Sequence, residues 1–141
     1  MDSGEFRRVW LFLVLGLCFL LAVFLSGPGP HDTLRNVAFV LALAGFAGVV
    51  SARYTLGRSF SVVAKATDLV TTGVYSKIRN PIYVFSWFLI IGVVTMVRMP
   101  LLYLVPLILI PIQIARARAE ARVLEEKFGD SYRRYRDSTW F

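Results

Sequence analysis

The sequence has few of the residues on which soluble enzymes usually depend. It contains one cysteine, Cys18, and one histidine, His31, and charged residues make up only 18% of its 141 positions. A single cysteine cannot form an internal disulfide, and we assign no role to His31 and predict no metal site. No G-x-G-x-x-G motif follows a predicted strand, so a dinucleotide-type domain is not expected.

Apolar residues, in contrast, are abundant and are gathered into blocks. They make up 57% of the chain, and the mean hydropathy is +0.63. This pattern excludes an ordinary soluble domain and is typical of a polytopic membrane protein. We therefore predict an all-α membrane helical bundle, formed by residues 1–141 as a single domain. Its four transmembrane helices are expected at about residues 9–26, 36–52, 81–97 and 100–116, with a connector at 53–80 and a tail at 117–141.

The first apolar run, from Val9 to Leu25, is long enough to be a retained span. As a helix it would measure about 26 Å, which is close to the hydrocarbon thickness of a bilayer. The Gly- and Pro-rich stretch from Ser26 to Pro30 is a poor site for cleavage of a signal peptide. Beyond it, Asp32 or Thr33 is predicted to cap the second helix.

The basic residues predict how the chain lies in the membrane. The net charge is +7, and with four spans fourteen of the sixteen Lys and Arg residues fall on one side, the exceptions being Arg35 and Arg98. The positive-inside rule then places both termini and the connector in the cytoplasm, with the last helix extending there. No RNA- or DNA-binding motif accompanies this charge, so we expect membrane lipid rather than nucleic acid as its partner.

A basic turn, which we call the elbow, runs from Gly73 to Tyr83 and reads GVYSKIRNPIY. Proline fixes its own φ angle and pushes the preceding residue out of the α region. Asn80 is therefore expected to be extended, and Pro81 is expected to begin the third helix. If the protein has a catalytic site, we expect it at the elbow, where a basic turn leads into an apolar helix.

The fourth helix is predicted to continue beyond the membrane. Residues 116–127 contain no Gly or Pro, and the Gly129 that follows Phe128 is a natural residue to end a helix. Arg116 and Glu120 lie one turn apart and share a face of this helix. The last span therefore carries charges out of the bilayer.

A short hairpin at Arg98-Met99-Pro100 joins the third and fourth helices, which must then be antiparallel neighbours. Charged groups that meet at a membrane edge indicate a functional site. The alternative is a set of snorkelling arginines with ion pairs on the helix surface. The hairpin brings together Arg79, Asn80 and Tyr83 from one helix start and Arg116 and Glu120 from the other helix.

Four short motifs occur in the order and spacing of a known family. They are LGRSFS at 56–61, LVTTGVY at 69–75, RNPIY at 79–83, and Glu120 followed by Leu124, Phe128-Gly129, Tyr132 and Tyr135. Together they resemble the isoprenylcysteine carboxyl methyltransferases and the related phospholipid N-methyltransferases. The resemblance covers roughly residues 56–136. Asn80, Ala121 and Val74 replace a histidine, a second glutamate and a proline of the family pattern, and Asn80 cannot carry a proton.

The resemblance implies an integral membrane methyltransferase that uses S-adenosyl-L-methionine. It implies a lipophilic small molecule or a lipidated molecule as the acceptor of the methyl group. We favour a carboxylate or another anionic group on this acceptor, because a carboxylate needs no base, whereas an amine would first have to lose a proton. The residues implied to bind the cofactor are Tyr75, Arg79, Asn80, Pro81, Tyr83, Gly92 and Glu120, and Arg116 and Glu120 are implied to be catalytic, with Arg116 orienting the acceptor.

Two other functions stay open. Asn80 and Ala121 are also compatible with a non-catalytic membrane or oligomer-forming protein that keeps the fold. A nicotinamide-dependent membrane reductase uses a similar helical scaffold, but its extra helices have no room in 141 residues. Binding of S-adenosylmethionine separates the first function from the scaffold. Whether a second copy of the chain completes the site is also open, so a homo-oligomer is among the expected partners.

Overall fold

The computed structural model describes residues 3–56 and 69–140, and within the first range it describes side chains from Trp10 onward. These two ranges contain five α-helices, in agreement with the predicted all-α class. Single 3₁₀ turns at Gly73–Ser76 and Pro100–Tyr103 precede the third and fourth of them. The helices are α1 (Ser3–Ser26), α2 (Thr33–Leu56), α3 (Pro81–Val97), α4 (Leu104–Phe128) and α5 (Asp130–Ser138).

Two of the described helices are long and apolar enough to cross a membrane. They are α2 and the helical stretch at residues 100–128, which combines the second 3₁₀ turn with α4. The stretches at 10–26 and 81–97 are also apolar but shorter. Length and composition therefore support two of the four predicted spans. The four-span topology and the cytoplasmic position of the termini stay predictions.

Helices α2 and α3 form the main packed pair, and small residues allow their close approach. Gly92 of α3 faces the backbone of α2, where an added Cβ would lie 2.6 Å from both Ala38 O and Ala42 N. Across the same interface, Gly45 of α2 lies against Phe85 O and the backbone of Leu89. Small residues of this kind let helix backbones pack closely in lipid, where van der Waals contact drives association.

The predicted helix ends agree with the structure. Asp32 Oδ1 accepts a 3.0 Å hydrogen bond from Arg35 N, so Asp32 caps α2. Pro81 occupies the first turn of α3, where its missing N–H has no cost. Helix α4 continues through Phe128 and ends at Gly129, whose positive φ of 49° suits a glycine.

A buried arginine ties together the end of the bundle farthest from the elbow. The Arg35 side chain is fully buried. Its guanidinium donates hydrogen bonds to carbonyl oxygens at the end of α1, in the following loop and at the end of α3, namely Phe24 O at 3.4 Å, Pro28 O at 2.5 Å and Met96 O at 3.4 Å. Arg98 forms an ion pair with Asp32 close by. Arg35 and Arg98, the two basic residues that the charge pattern separates from the other fourteen, therefore lie at the same end of the bundle.

Part of the predicted connector and one of its motifs lie outside the described residues. Helix α2 extends to Leu56, four residues beyond the expected end of the second span. The LGRSFS motif falls almost entirely within 57–68 and is therefore outside the described ranges. The predicted tail forms the last half of α4 and the separate helix α5.

Candidate functional site

The backbone of the elbow passes close to the Thr55 side chain at the end of α2. Gly73 has a φ of +59°, and an added Cβ there would lie 3.0 Å from the Thr55 hydroxyl oxygen. Both the backbone angle and the space therefore favour glycine. Within the turn, the Ser76 hydroxyl donates a 2.7 Å hydrogen bond to Gly73 O.

The start of α3 meets α4 through a direct hydrogen bond. The Tyr83 hydroxyl donates to Glu120 Oε1 at 2.6 Å. Arg116 lies one turn before Glu120, and its positive charge also acts on the Tyr83 phenol. The structure thus brings three of the predicted site residues into one cluster, as the hairpin between the helices led us to expect.

Tyr75, near the start of the elbow, is influenced by the same carboxylate. Tyr75 is 8% exposed. The charges of Glu120 and of Arg53, at the end of α2, act electrostatically on its phenol. Burial is the main cause that raises the pKa of Tyr75 above its ordinary value, and the negative charge of Glu120 adds to the increase. The phenol therefore stays neutral and can donate a hydrogen bond throughout the physiological pH range.

Arg79 lies beside the C-terminal tyrosines. Its charge acts on the phenols of Tyr132 and Tyr135, which are 1% and 8% exposed. The buried Arg79 Nε finds no hydrogen-bond partner among the described residues. A buried N–H donor without a partner is costly, and an anionic ligand at this position would satisfy it.

Asn80 and Pro81 shape the step from the elbow into α3. Asn80 has φ −121° and ψ 59°, outside the helical region but short of the fully extended ψ expected from the sequence. Its side chain makes no capping hydrogen bond, whereas its carbonyl oxygen accepts bonds from Tyr83 N and Val84 N. Pro81 is buried. The Asn80 amide is therefore not used to cap α3.

Gly92 lies apart from the cluster. It is nine residues beyond Tyr83 in the same helix, about 13 Å along the helix axis, and its free space is filled by the backbone of α2. The structure gives Gly92 a role in helix packing, and we leave it out of the site proposed below.

Tyr132 and Tyr135 belong to the C-terminal motif but were not among the predicted site residues. They are buried beside Arg79, and the Tyr135 hydroxyl donates a 2.8 Å hydrogen bond to Tyr75 O. Their spacing of three residues on the short helix α5 was the signal available in the sequence, because it places both rings on one face.

Comparison with known families agrees with this arrangement. The sequence profile of a family described as "Phospholipid methyltransferase" matches residues 34–131, which is more than half of the chain. The chain belongs to the phospholipid methyltransferase family. Family membership supports methyl transfer as the general activity and the membrane as its location. Neither the comparison with curated proteins nor the comparison with solved structures gave a match.

The match covers α2 from its second residue, the elbow, α3 and α4, so the cluster of this phospholipid methyltransferase family member lies within the matched region. Tyr132 and Tyr135 lie just beyond it. It also includes Asn80 and Ala121, the two positions at which the chain differs from the pattern with the histidine and the paired glutamates. These differences therefore concern the chemistry of the site rather than membership of the family.

Proposed function

We propose that this protein is an integral membrane methyltransferase that uses S-adenosylmethionine and methylates a lipophilic acceptor with an anionic group. The observation that supports this most strongly is the hydrogen bond between Tyr83 and Glu120. It joins the start of α3 to α4 one turn after Arg116, and the negative charge of Glu120 also acts on the Tyr75 phenol.

The predicted site residues fit the groups of the proposed cofactor. S-adenosylmethionine has an amino group, a carboxylate and a cationic sulfur. Glu120 would bind the amino group, and the unpartnered Nε of Arg79 would donate to the carboxylate. The phenol rings of Tyr75 and Tyr83 would face the cationic sulfur or the adenine, which aromatic faces attract. The Asn80 amide could add a donor, and Pro81 fixes the start of the helix that carries Tyr83.

When bound, S-adenosylmethionine supplies an electrophilic methyl group. The residues around it provide alignment and exclude water, which are the main contributions needed for direct transfer between two held reactants. An amine acceptor would need to lose a proton, and Glu120 is then the carboxylate in position to accept it. A carboxylate acceptor would need no base.

Arg116 would orient the acceptor. It is exposed, and it lies one turn before Glu120 on α4. A guanidinium binds phosphate and carboxylate groups through two parallel hydrogen bonds. Phospholipids, which the family description names, carry such an anionic phosphate, so an anionic lipid fits both the charge of this position and its place near the membrane edge.

The proposed orientation places the site at the cytoplasmic face. It assumes four spans, with both termini, the elbow and the end of α4 on that side, as the distribution of basic residues predicts. The cofactor would then reach the site from water, and the acceptor would reach it from the bilayer between the helices.

Calorimetric titration of the purified full-length protein in detergent with S-adenosylmethionine tests the cofactor. We expect micromolar binding that Glu120→Gln weakens by tenfold or more, because a hydrogen bond to a charged group contributes about 1.5–3 kcal/mol. Glu126→Gln is the matched control, since Glu126 is an exposed carboxylate on the same helix, and it should bind as the wild type does. Absence of binding by the wild type would favour the non-catalytic scaffold.

The acceptor is tested by transfer of a radiolabelled methyl group to vesicles of defined lipids. Separate vesicles should contain a phospholipid with a primary amine, a phospholipid without one, and a prenylated cysteine with a free carboxylate. Label in one of these lipids identifies the accepting group. Binding of the cofactor without label in any of them would contradict the proposed acceptor class.

A further inference from the structure

The C-terminal segment, residues Asp130–Trp140, folds back onto the elbow. The turn that redirects the chain is at Gly129, which has a positive φ of 49° and no atom within 4 Å of an added Cβ. Beyond it, α5 buries Tyr132 and Tyr135 and leaves its basic residues exposed. The segment therefore presents its aromatic face to the protein.

Three hydrogen bonds connect this segment to alternate residues of the elbow. The Tyr135 hydroxyl donates to Tyr75 O at 2.8 Å, and this bond is buried. Trp140 N donates to Lys77 O at 3.1 Å, and Arg79 N donates to Trp140 O at 3.3 Å. The last two bonds form an isolated parallel bridge between Trp140 and Ile78.

The local hydrogen bonds in and next to the elbow determine the shape of the turn. Tyr75 N bonds to Thr72 O, and Ile78 N bonds to Val74 O. These local bonds give the turn its shape, but they do not fix its position relative to the rest of the protein. The bonds from the C-terminal segment join two separate parts of the chain, so they restrain where Tyr75 and Arg79 lie.

We propose that the C-terminal segment is a clamp that positions Tyr75 and Arg79 for binding of the cofactor. This inference rests on the proposed function, since it assumes that these two residues bind S-adenosylmethionine. The clamp forms hydrogen bonds with the backbone of these two residues: the Tyr75 carbonyl accepts one from Tyr135, and the Arg79 N–H donates one to Trp140 O. A binding group that is held in place before the ligand arrives loses less conformational entropy on binding.

The clamp acts through the backbone of Trp140 and through the phenol of Tyr135. The Trp140 side chain is 62% exposed, so replacing the indole should leave the clamp intact. Burial raises the pKa of Tyr135 to about 12, so its phenol stays a hydrogen-bond donor at neutral pH. The clamp should therefore not respond to pH changes between about 6 and 9.

Two substitutions at one position separate the backbone from the side chain. Trp140→Pro removes the N–H that donates to Lys77 O, whereas Trp140→Ala removes only the indole. Thr139 has φ −123° and ψ 152°, a conformation that a following proline accepts. Tyr135→Phe is a second test, because it removes one hydrogen bond and keeps the buried ring.

The experiment measures affinity for S-adenosylmethionine and hydrogen exchange of the elbow amides, both on full-length protein in detergent. We expect Trp140→Pro and Tyr135→Phe each to weaken cofactor binding about fivefold, the effect of losing one hydrogen bond. Exchange at the Arg79 amide should become faster in Trp140→Pro. The KM for the cofactor should rise while kcat at saturating cofactor stays unchanged, and Trp140→Ala should match the wild type in every measurement.

Equal affinity of Trp140→Pro and Trp140→Ala would overturn the clamp, and so would faster exchange without a change in affinity. If Trp140→Pro fails to fold, Tyr135→Phe decides by the same criterion. A wild-type protein that does not bind the cofactor would overturn the proposed function itself. If the wild type binds the cofactor and neither Trp140→Pro nor Tyr135→Phe changes the affinity, only the clamp is overturned.

Discussion

The Tyr83 hydroxyl donates a 2.6 Å hydrogen bond to Glu120 Oε1, although the two residues are 37 positions apart. One lies in the first turn of α3 and the other lies in the part of α4 beyond its apolar half. The contact therefore fixes the two helices at the end of the bundle where the basic elbow lies. Arg116 lies one turn before this carboxylate on α4, and the charge of Glu120 also acts on the Tyr75 phenol.

Replacement of Arg116 should affect the acceptor and leave the cofactor bound. In Arg116→Gln, we expect the KM for an anionic lipid acceptor to rise about tenfold, because one charge-assisted contact is lost. The affinity for S-adenosylmethionine should change less than threefold. Arg118→Gln, which alters another exposed arginine of α4, is the control. An equal effect of both variants would show that only the overall charge matters.

Replacement of Arg35 should destabilise the fold without altering the site. Its buried guanidinium donates to three carbonyl oxygens from different parts of the chain. Arg35→Met leaves these carbonyls without their donor, which should cost about 2–5 kcal/mol and lower the midpoint of thermal unfolding by roughly 10 °C.

Lysine should not restore this stability, because a single ammonium cannot reach all three acceptors of Arg35. Arg122→Met, at an exposed position of α4, should leave the unfolding midpoint unchanged. A fully stable Arg35→Lys variant would show that charge alone, and not the shape of the guanidinium, holds this end of the bundle.

The pH dependence of stability should include a contribution from Asp32. Its hydrogen bond to Arg98 lowers the pKa of the Asp32 carboxyl below its ordinary value, and the bond from Arg35 N lowers it further. Because the folded-state pKa is the lower one, the stabilisation is fully present above about pH 4 and is lost as the pH falls through the folded value.

Asp32→Asn is the matched variant for this prediction, since asparagine caps a helix as well as aspartate does but carries no charge. The unfolding midpoint of the wild type should approach that of Asp32→Asn as the pH is lowered from 6 to 3. A constant difference between the two proteins over this range would contradict the role of the charge.

Gly92 provides a test of helix packing. An added Cβ would lie 2.6 Å from two backbone atoms of α2, so Gly92→Ala must push α2 and α3 apart. We expect a loss of about 1–3 kcal/mol in the free energy of unfolding. Ile91→Val, at an exposed neighbouring position, should change stability much less. The folded fraction of Gly92→Ala should bind S-adenosylmethionine normally, whereas a selective loss of binding would return Gly92 to the site.

The sequence predicts those features of this protein that depend on local rules. Pro81 begins α3, Gly129 ends α4 and Asp32 caps α2, because each of these ends is decided by one or two residues. The meeting of Tyr83 with Glu120 was also predictable, since a three-residue hairpin leaves the two helices few relative positions.

Contacts that depend on tertiary folding were not predictable in the same way. The charge pattern identified Arg35 as an exception, but it could not show that the carbonyls of two helix ends lie around it. No repeating sequence pattern predicts the contact of Trp140 with the elbow, because this contact is a single bridge to Ile78 that follows a short helix. The family resemblance implied that Gly92 binds the cofactor, and only the position of α2 shows that its backbone fills the space beside Gly92.

A double-mutant cycle on Tyr83 and Glu120 tests the central claim, which is that the elbow and α4 form a single cofactor site. The affinity for S-adenosylmethionine is measured by calorimetry in the wild type, Tyr83→Phe, Glu120→Gln and the double variant. We predict that each single change weakens binding and that the two effects differ from additivity by about 1 kcal/mol or more. Effects that add to within about 0.3 kcal/mol, or single variants that bind as well as the wild type, would contradict the claim.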